Sequence, residues 1–365
     1  MKRILLLSAY DAQSHQYWHK GLVEAFPEYD WTVLTLPARY FAWRVRGNSL
    51  SWAIEQQTLL NQPYDAVICT SMTDLSALRG MVPKLARTPT LVYFHENQFA
   101  YPPSQHQAQS VEPQVLNLYT AFCADKVLFN SNYNRETFID GARKLLQKLP
   151  DHAPLSVIEH IKDKSGVLPV PLKPVTTPQI DTEQPWPKNT KEITKIVWAA
   201  RWEYDKGPKT LLEILRTLKA AQQDFALCLL GQHFRHSPPE FNDIQYEFAA
   251  EIVHAGFEES IARYQAWLNG ADFILSTAEH EFQGIAVLEA TQRGCIPIVP
   301  DTLVYPELFD QQLRYNSAQE AASLIQKHWK QKTQAPPTMH MEWPQLRECY
   351  RDAIESLYAA RSTSD

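Results

Sequence analysis

Two glutamates, Glu281 and Glu289, enclose seven residues that include Gly284 and a run of apolar side chains. Residues 272–276 before them are typical of a short buried strand, and residues 284–294 are typical of a helix that ends at a glycine. Glu281 is therefore predicted in the strand-to-helix loop, with Glu289 about one and a half turns into the helix. Carboxylates at these two places can accept hydrogen bonds from the hydroxyls of a sugar.

The alternative interpretation of this pair is structural. Glu281 would be a favourable charge in the first helical turn, and Glu289 would face solvent. The surrounding loops favour the functional interpretation, because open α/β sheets bind phosphorylated ligands where a helix N-terminus follows the carboxyl end of a strand.

A pair of cations precedes the second helix-forming region. Arg201 and Lys206 lie in the turn between a predicted strand and a predicted helix. Arginine as a planar fork and lysine as a point charge could both reach one diphosphate beside that helix N-terminus. The alternative is a solvated loop with salt bridges to Glu203 and Asp205. Neighbouring loops of the same predicted sheet edge add backbone groups at Gly231, Gly284 and Ile285.

The chain contains no Asp-X-Asp motif. Enzymes that hold a nucleotide sugar through Mg²⁺ or Mn²⁺ need clustered carboxylates. In this chain Arg201, Lys206 and the helix dipole would neutralise the diphosphate instead. We therefore predict chemistry that needs no metal and no cofactor.

Composition limits the class of protein. The length of 365 residues suggests two domains, and the formal net charge of −6 gives no general attraction for nucleic acid or anionic membrane. Any polyanion must therefore bind at a local basic patch. Five scattered cysteines without a Cys-X-X-Cys pair indicate a reducing compartment. No apolar run approaches the length of a membrane span. We expect a cytoplasmic protein without integral membrane contact, and the oligomeric state stays open.

Strand-like and helix-like segments alternate in two blocks, which predicts an α/β protein with two mostly parallel sheets covered by helices. Six prolines between residues 169 and 187 separate the blocks, and their density is incompatible with helix or central strand. The predicted domains are residues 1–170 and 193–342, joined by a linker at 171–192. Two such domains would leave a cleft suited to a nucleotide-linked donor on one side and an acceptor on the other.

The element predictions follow from apolar periodicity and from helix and turn signals. The predicted strands are residues 4–7, 31–36, 66–70, 90–94, 126–129, 193–200, 225–230, 251–254, 272–276 and 295–299. The predicted helices are residues 17–25, 51–61, 78–86, a segment after Ser131, 208–220, 261–268, 284–294 and 343–360.

The spacing Arg201-x4-Lys206-Gly207 followed by Glu281-x7-Glu289 resembles the signature of retaining glycosyltransferases with the GT-B architecture, of the family 4-like kind. Longer segments resemble the tRNA-queuosine alpha-mannosyltransferase group within that family. These segments are Leu36-Pro37-Ala38, Trp43-Arg44-Val45-Arg46, Tyr93-Phe94-His95-Glu96-Asn97-Gln98, Tyr101-Pro102, Phe129-Asn130-Ser131, Arg201-Trp202-Glu203-Tyr204-Asp205-Lys206, His280-Glu281-Phe282 and Val304-Tyr305-Pro306-Glu307.

The resemblance covers nearly the whole chain and implies two Rossmann-like, doubly wound domains facing a cleft. It also implies that the C-terminal helix, residues 343–362, crosses back to the first domain. The implied donor is GDP-mannose, and the implied acceptor is the cyclopentenediol of queuosine in the anticodon loop of tRNA-Asp. In the retaining mechanism of this family the donor phosphate helps to deprotonate the acceptor hydroxyl, so the protein works by positioning and by stabilising the leaving diphosphate.

The resemblance also assigns roles to individual residues. Arg201 and Lys206 would hold the diphosphate, Glu281 would bind the transferred sugar, and Glu289 would bind the ribose of the nucleotide. His95 would contact the sugar from the opposite domain. Without the family context, the alternative for His95 is a strand-end histidine satisfied by its neighbour Glu96.

Several acceptor-side assignments stay open. Ser14 and His15 follow Asp11-Ala12-Gln13, where the family usually carries two glycines, and Gln283 replaces an aromatic residue of the family. Ser14 fits a helix N-cap better than a contact. Asn97 and Gln98 fit either loop-capping amides or acceptor contacts.

Residues 39–46 interleave three arginines with three aromatic residues. Cations for phosphates and rings for splayed bases are what a single-stranded anticodon loop requires. Arg44 and Arg46 are therefore predicted to contact the acceptor. The alternative is that the rings pack into the core while the arginines extend to solvent.

Three other functions are compatible with this sequence. A GT-B glycosyltransferase for a lipid-linked or soluble sugar would need an exposed apolar and basic helix in the first domain. A nucleotide-sugar-binding protein without turnover would bind the donor but neither transfer nor hydrolyse it. A sugar-nucleotide epimerase would make product without an acceptor.

Overall fold

The computed structural model describes residues 1–101, 110–175, 185–187, 193–233 and 237–359. They form two compact units: residues 1–171 with the C-terminal helix that begins at Trp343, and Leu172–Glu342. Most of the predicted linker at 171–192 lies outside the described residues, as do Pro102 and positions 360–362 of the last predicted helix.

The first unit contains one parallel six-stranded sheet. Its strands are β1 (Arg3–Asp11), β2 (Asp30–Pro37), β3 (Ala66–Thr70), β4 (Thr90–Phe94), β5 (Lys126–Phe129) and β6 (Ser165–Val167). Their spatial order is β2-β1-β3-β4-β5-β6. Every residue of β3 and β4 is buried, as expected when helices cover both faces of a parallel sheet. The sequence did not predict β6, which has only three residues and no apolar run.

Helices connect and cover these strands. They are α1 (Gln13–Ala25), α2 (Phe41–Glu55), α3 (Gln57–Leu60), α4 (Leu75–Met81), α5 (Glu112–Cys123), α6 (Asn132–Lys148) and α7 (Ser156–Asp163). The sequence places the start of α2 at residue 51, ten residues too late. The reason is that α2 buries polar side chains, including Arg44, Asn48 and Ser49, so its inner face does not stand out as apolar.

The second unit contains another parallel six-stranded sheet. Its strands are β7 (Thr194–Ala199), β8 (Phe225–Leu230), β9 (Ile252–Gly256), β10 (Phe273–Leu275), β11 (Ile296–Pro300) and β12 (Arg314–Tyr315). Their spatial order is β12-β11-β10-β7-β8-β9. The helices are α8 (Pro208–Ala220), α9 (Glu240–Glu247), α10 (Ile261–Asn269), α11 (Ile285–Gln292), α12 (Tyr305–Leu308) and α13 (Ala318–Gln331).

The C-terminal helix α14 (Trp343–Ala359) packs within the first unit. Trp18 of α1 donates to the Tyr350 hydroxyl at 3.1 Å, and this hydroxyl donates to the Pro169 carbonyl at 3.0 Å. A Cβ atom at Gly21 would lie 2.8 Å from the indole nitrogen of Trp343, so α1 and α14 approach closely at a glycine. No helix within the described ranges is both long and apolar enough to cross a lipid bilayer.

Each sheet has one point where the winding of the chain reverses. It lies between β1 and β3 in the first sheet and between β7 and β10 in the second. Ligands of open α/β sheets bind at such points, beyond the carboxyl ends of the strands. The loops after β1, β7 and β10 are therefore the places where the sequence and the topology both locate chemistry.

Candidate functional site

A close backbone approach and a hydrogen bond hold the turn after β7 against the loop after β10. Gly207 ends the turn with φ +63°, and a Cβ there would lie 1.9 Å from the Thr277 carbonyl oxygen. The Thr277 hydroxyl donates to the Lys206 carbonyl at 2.7 Å and accepts from the Trp198 indole at 3.0 Å. Only glycine allows this approach at a left-handed position, so the backbone fixes where the Lys206 side chain begins.

The Lys206 ammonium is buried among oxygen atoms. It lies 3.3 Å from Asp205 Oδ2 and 3.5 Å from Glu281 Oε2, and it donates to the His280 carbonyl at 2.9 Å. Burial acts to lower the pKa of Lys206, but the charges of Glu281 and Asp205 outweigh it and the pKa is raised. The amine therefore stays protonated, as a group that balances a diphosphate must.

Glu281 lies in the loop between β10 and α11, three residues before the Gly284 cap. Its Oε1 accepts from the backbone N–H of Phe282 at 3.1 Å and of Gln283 at 3.4 Å. Burial acts to raise the pKa of this carboxyl, but Lys206 and the backbone N–H groups hold it below its usual value. Glu281 therefore lies in the loop predicted from the sequence, and through Oε2 it faces Lys206. The alternative in which it is a charge in the first turn of the helix is wrong, because α11 has no acidic residue in its first turn.

A small pocket opens beside this pair. Lys206, Glu281, Gly284 and Tyr305 all line it, and Ile285 begins α11 at its edge. Gly284 caps α11 with φ +70°, and a Cβ there would lie 3.3 Å from the Tyr305 ring. Sequence reasoning did not name Tyr305 as a site residue, although it belongs to one of the quoted family segments.

Tyr305 is held in place from the strand side of the pocket. Its hydroxyl lies 2.6 Å from the Ser276 hydroxyl. Burial raises the pKa of Tyr305 well above its usual value, so the phenol stays neutral and can donate a hydrogen bond at the pocket wall.

Arg201 and Glu289 lie at the margin of this arrangement. Arg201 is half-exposed and contacts Glu203 at 3.0 Å, which is the salt bridge of the structural alternative. Its charge still acts on Lys206. Glu289 Oε2 accepts from the Tyr264 hydroxyl at 3.2 Å, and burial raises the pKa of Glu289 above its usual value.

Gly231 has a structural requirement of its own. Its φ is +154°, and a Cβ there would lie 1.7 Å from the Ala200 carbonyl oxygen. Its N–H donates to the Gly256 carbonyl at 3.0 Å. The residue therefore shapes the end of β8, and its backbone donor already has a partner.

The first unit carries a different cluster at the loop after β1 and the end of β4. The rings of His15 and His95 stack with centroids 4.3 Å apart, and Trp18 meets His95 edge-on at 5.0 Å. His15 Nε2 lies 3.2 Å from Glu96 Oε2, and His19 Nε2 lies 3.2 Å from Asp11 Oδ1. Glu96 therefore pairs with His15, and the alternative in which it satisfies His95 is wrong.

The pKa values of the two stacked imidazoles are shifted in opposite directions. Burial, followed by the nearby His15 and His19, lowers the pKa of His95 well below its usual value. Burial also acts to lower the pKa of His15, but Glu96 outweighs it and the pKa is raised. Within the described residues, the buried His95 Nε2 has no hydrogen-bond partner. A neutral imidazole with an open nitrogen can bind an uncharged hydroxyl.

Comparison with known proteins identifies the family. The family described as tRNA-queuosine alpha-mannosyltransferase N-terminal matches residues 3–172, and glycosyl transferases group 1 matches residues 179–331. The tRNA-queuosine alpha-mannosyltransferase of Drosophila melanogaster is 33% identical over 319 residues, which cover 86% of this chain and 84% of that protein. The chain belongs to the tRNA-queuosine alpha-mannosyltransferase family. It is a glycosyltransferase.

Solved structures confirm the predicted α/β GT-B fold class. The HepE protein of Anabaena in complex with UDP has a TM-score of 0.61 at 13% identity and covers 100% of this chain and 99% of its own. Sucrose-phosphate synthase of Thermosynechococcus elongatus has a TM-score of 0.65 at 11% identity and covers 99% and 100%. At these identities the likeness establishes the fold alone.

In this member of the tRNA-queuosine alpha-mannosyltransferase family, Ser14 is not an N-cap. Helix α1 begins at Gln13 with Ala12 as its cap, because the Ala12 carbonyl accepts from the Gln16 N–H at 2.9 Å. Ser14 lies in the first turn and is exposed. The structural alternative for Ser14 is therefore wrong, and its hydroxyl is accessible.

The Asn97 side chain stabilises the loop after β4 through hydrogen bonds. It is fully buried, and its amide donates to Asn134 at 2.9 Å while its oxygen accepts from the Phe99 N–H at 2.9 Å. Gln98 is half-buried, and its N–H donates to Asn117 Oδ1 at 2.9 Å. Of the two interpretations left open for Asn97, the structure supports loop capping.

The two arginines predicted to contact the acceptor are both occupied inside the protein. Arg44 is only 9% exposed, and its Nε donates to the Pro37 carbonyl at 3.3 Å. Arg46 is half-exposed but contacts Asp74 at 3.0 Å and also pairs with Glu112. The prediction of direct acceptor contact by Arg44 is contradicted by its burial, and Arg46 would have to leave two carboxylates.

Proposed function

We propose that this glycosyltransferase moves mannose from GDP-mannose to the cyclopentenediol of queuosine in the anticodon loop of tRNA-Asp. The bond between mannose C1 and the β-phosphate oxygen breaks, and a bond between C1 and the acceptor oxygen forms with retention. The acceptor hydroxyl gives its proton to the leaving phosphate, so GDP and mannosyl-queuosine tRNA are the products.

The observation that supports this proposal most directly is the partly buried Lys206–Glu281 pair, 3.5 Å apart, at the winding reversal of the second sheet. It brings a permanent cation and a permanent anion to the place where nucleotide ligands of such sheets bind. The family relationship over most of the chain then favours queuosine as the acceptor and mannose as the sugar.

Each charge has a task in this reaction. Lys206, joined by Arg201, offsets the negative charge that develops on the leaving diphosphate, and the N-terminus of α11 adds its dipole. These groups would make a metal ion unnecessary. Glu281 accepts hydrogen bonds from hydroxyls of the transferred sugar, and Glu289 accepts them from the ribose.

His95 has the properties needed to contact an uncharged sugar. Its neutral ring is fixed by the stack on His15 and the edge contact with Trp18. An imidazole that is already neutral loses no charge solvation when it faces a hydroxyl in a water-poor site, whereas an imidazolium would.

A UDP-linked sugar is the competing donor, because the HepE structure with the same fold holds UDP. The experiment therefore offers purified protein GDP-mannose, UDP-glucose or UDP-galactose, with queuosine-bearing or queuosine-free tRNA, with and without EDTA. Mass spectrometry of the digested nucleosides detects the added hexose. We expect a hexose on queuosine from GDP-mannose alone, unaffected by EDTA.

Other outcomes would contradict parts of this proposal. A hexose from a UDP donor would replace the donor assignment, and loss of transfer in EDTA would reject the metal-free mechanism. Absence of hexose on queuosine with every donor would reject the acceptor. Consumption of donor without any acceptor would favour the epimerase alternative.

A further inference from the structure

Two aromatic rings are exposed at the start of α2, one just before the helix and one in its first turn. Tyr40, which precedes the helix, is 73% exposed, and Trp43 is 54% exposed. Neither ring contributes to the hydrophobic core of the first unit. Neighbouring exposed apolar side chains can mark an interaction site, and both rings belong to the segment 39–46 singled out from the sequence.

The Trp43 ring packs against the backbone of α2 at Gly47. Gly47, one turn further along α2, is buried, and a Cβ there would lie 2.2 Å from the Trp43 ring. The ring therefore lies against the bare backbone of Gly47. A ring held on one face by the helix and open on the other is a stacking surface that loses little conformational freedom when it binds.

Tyr40 occupies a backbone conformation that its side chain does not favour. Its φ is 53° and its ψ is 54°, in the left-handed region where glycine or asparagine is preferred. The Arg39 guanidinium lies 5.6 Å from the centre of the Tyr40 ring. A bulky exposed residue kept in a strained conformation is a sign of function.

The charge around these rings favours a polyanion. No acidic residue occurs from Trp31 to Ile54. The carboxylates that reach this surface from elsewhere, Asp74 and Glu112, are both held by Arg46. With Arg44 buried, Arg39 is the arginine of this segment that is exposed without an acidic contact among the described residues.

We propose that Tyr40 and Trp43 stack on unpaired bases of the acceptor RNA loop while Arg39 contacts the phosphate backbone. Aromatic rings accept any base because every base has a π-face, and a neighbouring cation anchors the strand. The inference rests on the proposed function for the identity of the RNA. It replaces Arg44 and Arg46 with three other residues of the same segment.

A second copy of this chain is the competing occupant. Leu50 and Ile54 lie further along α2 and are also exposed, and aliphatic side chains suit a protein partner better than a base. The charge pattern favours RNA, because the exposed Arg39 lies in a segment without acidic residues and two copies of a chain of net charge −6 repel each other.

The test measures binding of a fluorescent tRNA-Asp anticodon stem-loop by anisotropy at one fixed salt concentration, and binding of GDP by calorimetry. We expect Trp43→Ala and Tyr40→Asn each to raise the RNA Kd on the order of ten-fold, the range for one lost stacking contact. The Kd for GDP should not change. Tyr246→Ala is the matched control, because Tyr246 is 88% exposed in the second unit.

Gly47→Ala separates stacking from folding. It keeps every side chain of the surface, and alanine is a better helix former than glycine, but the new methyl group displaces the Trp43 ring. We expect a Kd as weak as that of Trp43→Ala without a lower thermal midpoint. For Tyr40→Asn we expect an unchanged or higher midpoint, because asparagine tolerates the left-handed conformation.

Unchanged RNA affinity in Trp43→Ala and Tyr40→Asn would overturn the inference, as would a wild-type protein that does not bind the stem-loop. A change in sedimentation without a change in RNA affinity would assign the surface to a second copy. These outcomes are distinct from failure of the proposed function, which shows itself as absence of hexose on queuosine when the RNA is bound.

Discussion

The two sheets place chemistry at equivalent topological positions but solve the electrostatics in opposite ways. In the second unit Lys206 and Glu281 form a partly buried, ionised pair. In the first unit burial keeps His95 neutral beside His15. An ion pair suits a charged ligand group such as a diphosphate, and a neutral imidazole can exchange a hydrogen bond with an uncharged hydroxyl. The site residues of the two sheets therefore suit different ligand groups.

Removal of the cation should give the largest effect. We expect Lys206→Ala to lower kcat/KM about 10³-fold, because a preorganised group that stabilises the leaving diphosphate is lost and Glu281 is left without its partner. Steady-state transfer to queuosine tRNA measures this. Lys209→Ala is the control, since Lys209 is exposed on the next helix. Equal rates for Lys206→Ala and Lys209→Ala would show that Lys206 does not stabilise the leaving diphosphate.

Removal of the anion should have a smaller effect. Glu281→Gln keeps the shape of the side chain and part of its hydrogen bonding, so we expect a loss of about 10²-fold in kcat/KM. Glu279→Gln, at an exposed position two residues earlier, should keep the wild-type rate. If Glu281→Gln changed only the thermal midpoint, the carboxylate would act solely by holding the loop before α11 through its backbone contacts.

The lowered pKa of His95 in the first unit predicts that the free energy of unfolding depends on pH. The pKa of His95 in the folded chain is well below 6.5. Between that pKa and the pKa of about 6.5 in the unfolded chain, the unfolded chain therefore binds a proton at His95 that the folded chain does not bind. Stability is then fully present above pH 6.5 and is lost as pH falls toward the folded pKa. The slope from one such group is at most about 1.4 kcal/mol per pH unit.

His95→Gln tests this sign directly. Denaturant midpoints of the variant and the wild type should converge between pH 6.5 and 5.5, because the variant lacks the penalty while His15, His19, Glu96 and Asp11 remain. His15 contributes the opposite trend, since its raised pKa gives stability below pH 6.5 that is lost as pH rises. Parallel curves for the two proteins would mean that the pKa of His95 is the same in the folded and the unfolded chain.

Much of the fold was predictable because continuous apolar runs end at clear breakers. The bounds of β3, β4, β5, β8 and α8 are those predicted from the sequence. The helices α5, α7, α9, α12 and α13 were not predicted, and α2 was shortened. In α2 the cause is visible, since polar residues such as Asn48 face the interior and bind backbone groups there.

The contacts between site residues were harder to predict from the sequence than the residues themselves. Lys206 and Glu281 were both named, but their contact depends on β7 and β10 lying side by side. The pairing of Glu96 with His15 crosses from the end of one strand to the helix after another. Sequence neighbours gave the wrong partner for His95, because alternate residues beyond a strand point in different directions.

Arg44 offers the smallest effect and the sharpest contrast with Arg39. Its guanidinium is buried and donates to Pro37, so Arg44→Ala should lower the free energy of unfolding by about 1 kcal/mol. The Kd for the anticodon stem-loop should stay at the wild-type value, whereas Arg39→Ala should weaken it and leave stability unchanged. Thermal unfolding and anisotropy on both variants measure the two effects. The reverse result, with Arg44→Ala weak in RNA binding and normal in stability, would show that Arg44 leaves its buried position to meet the acceptor.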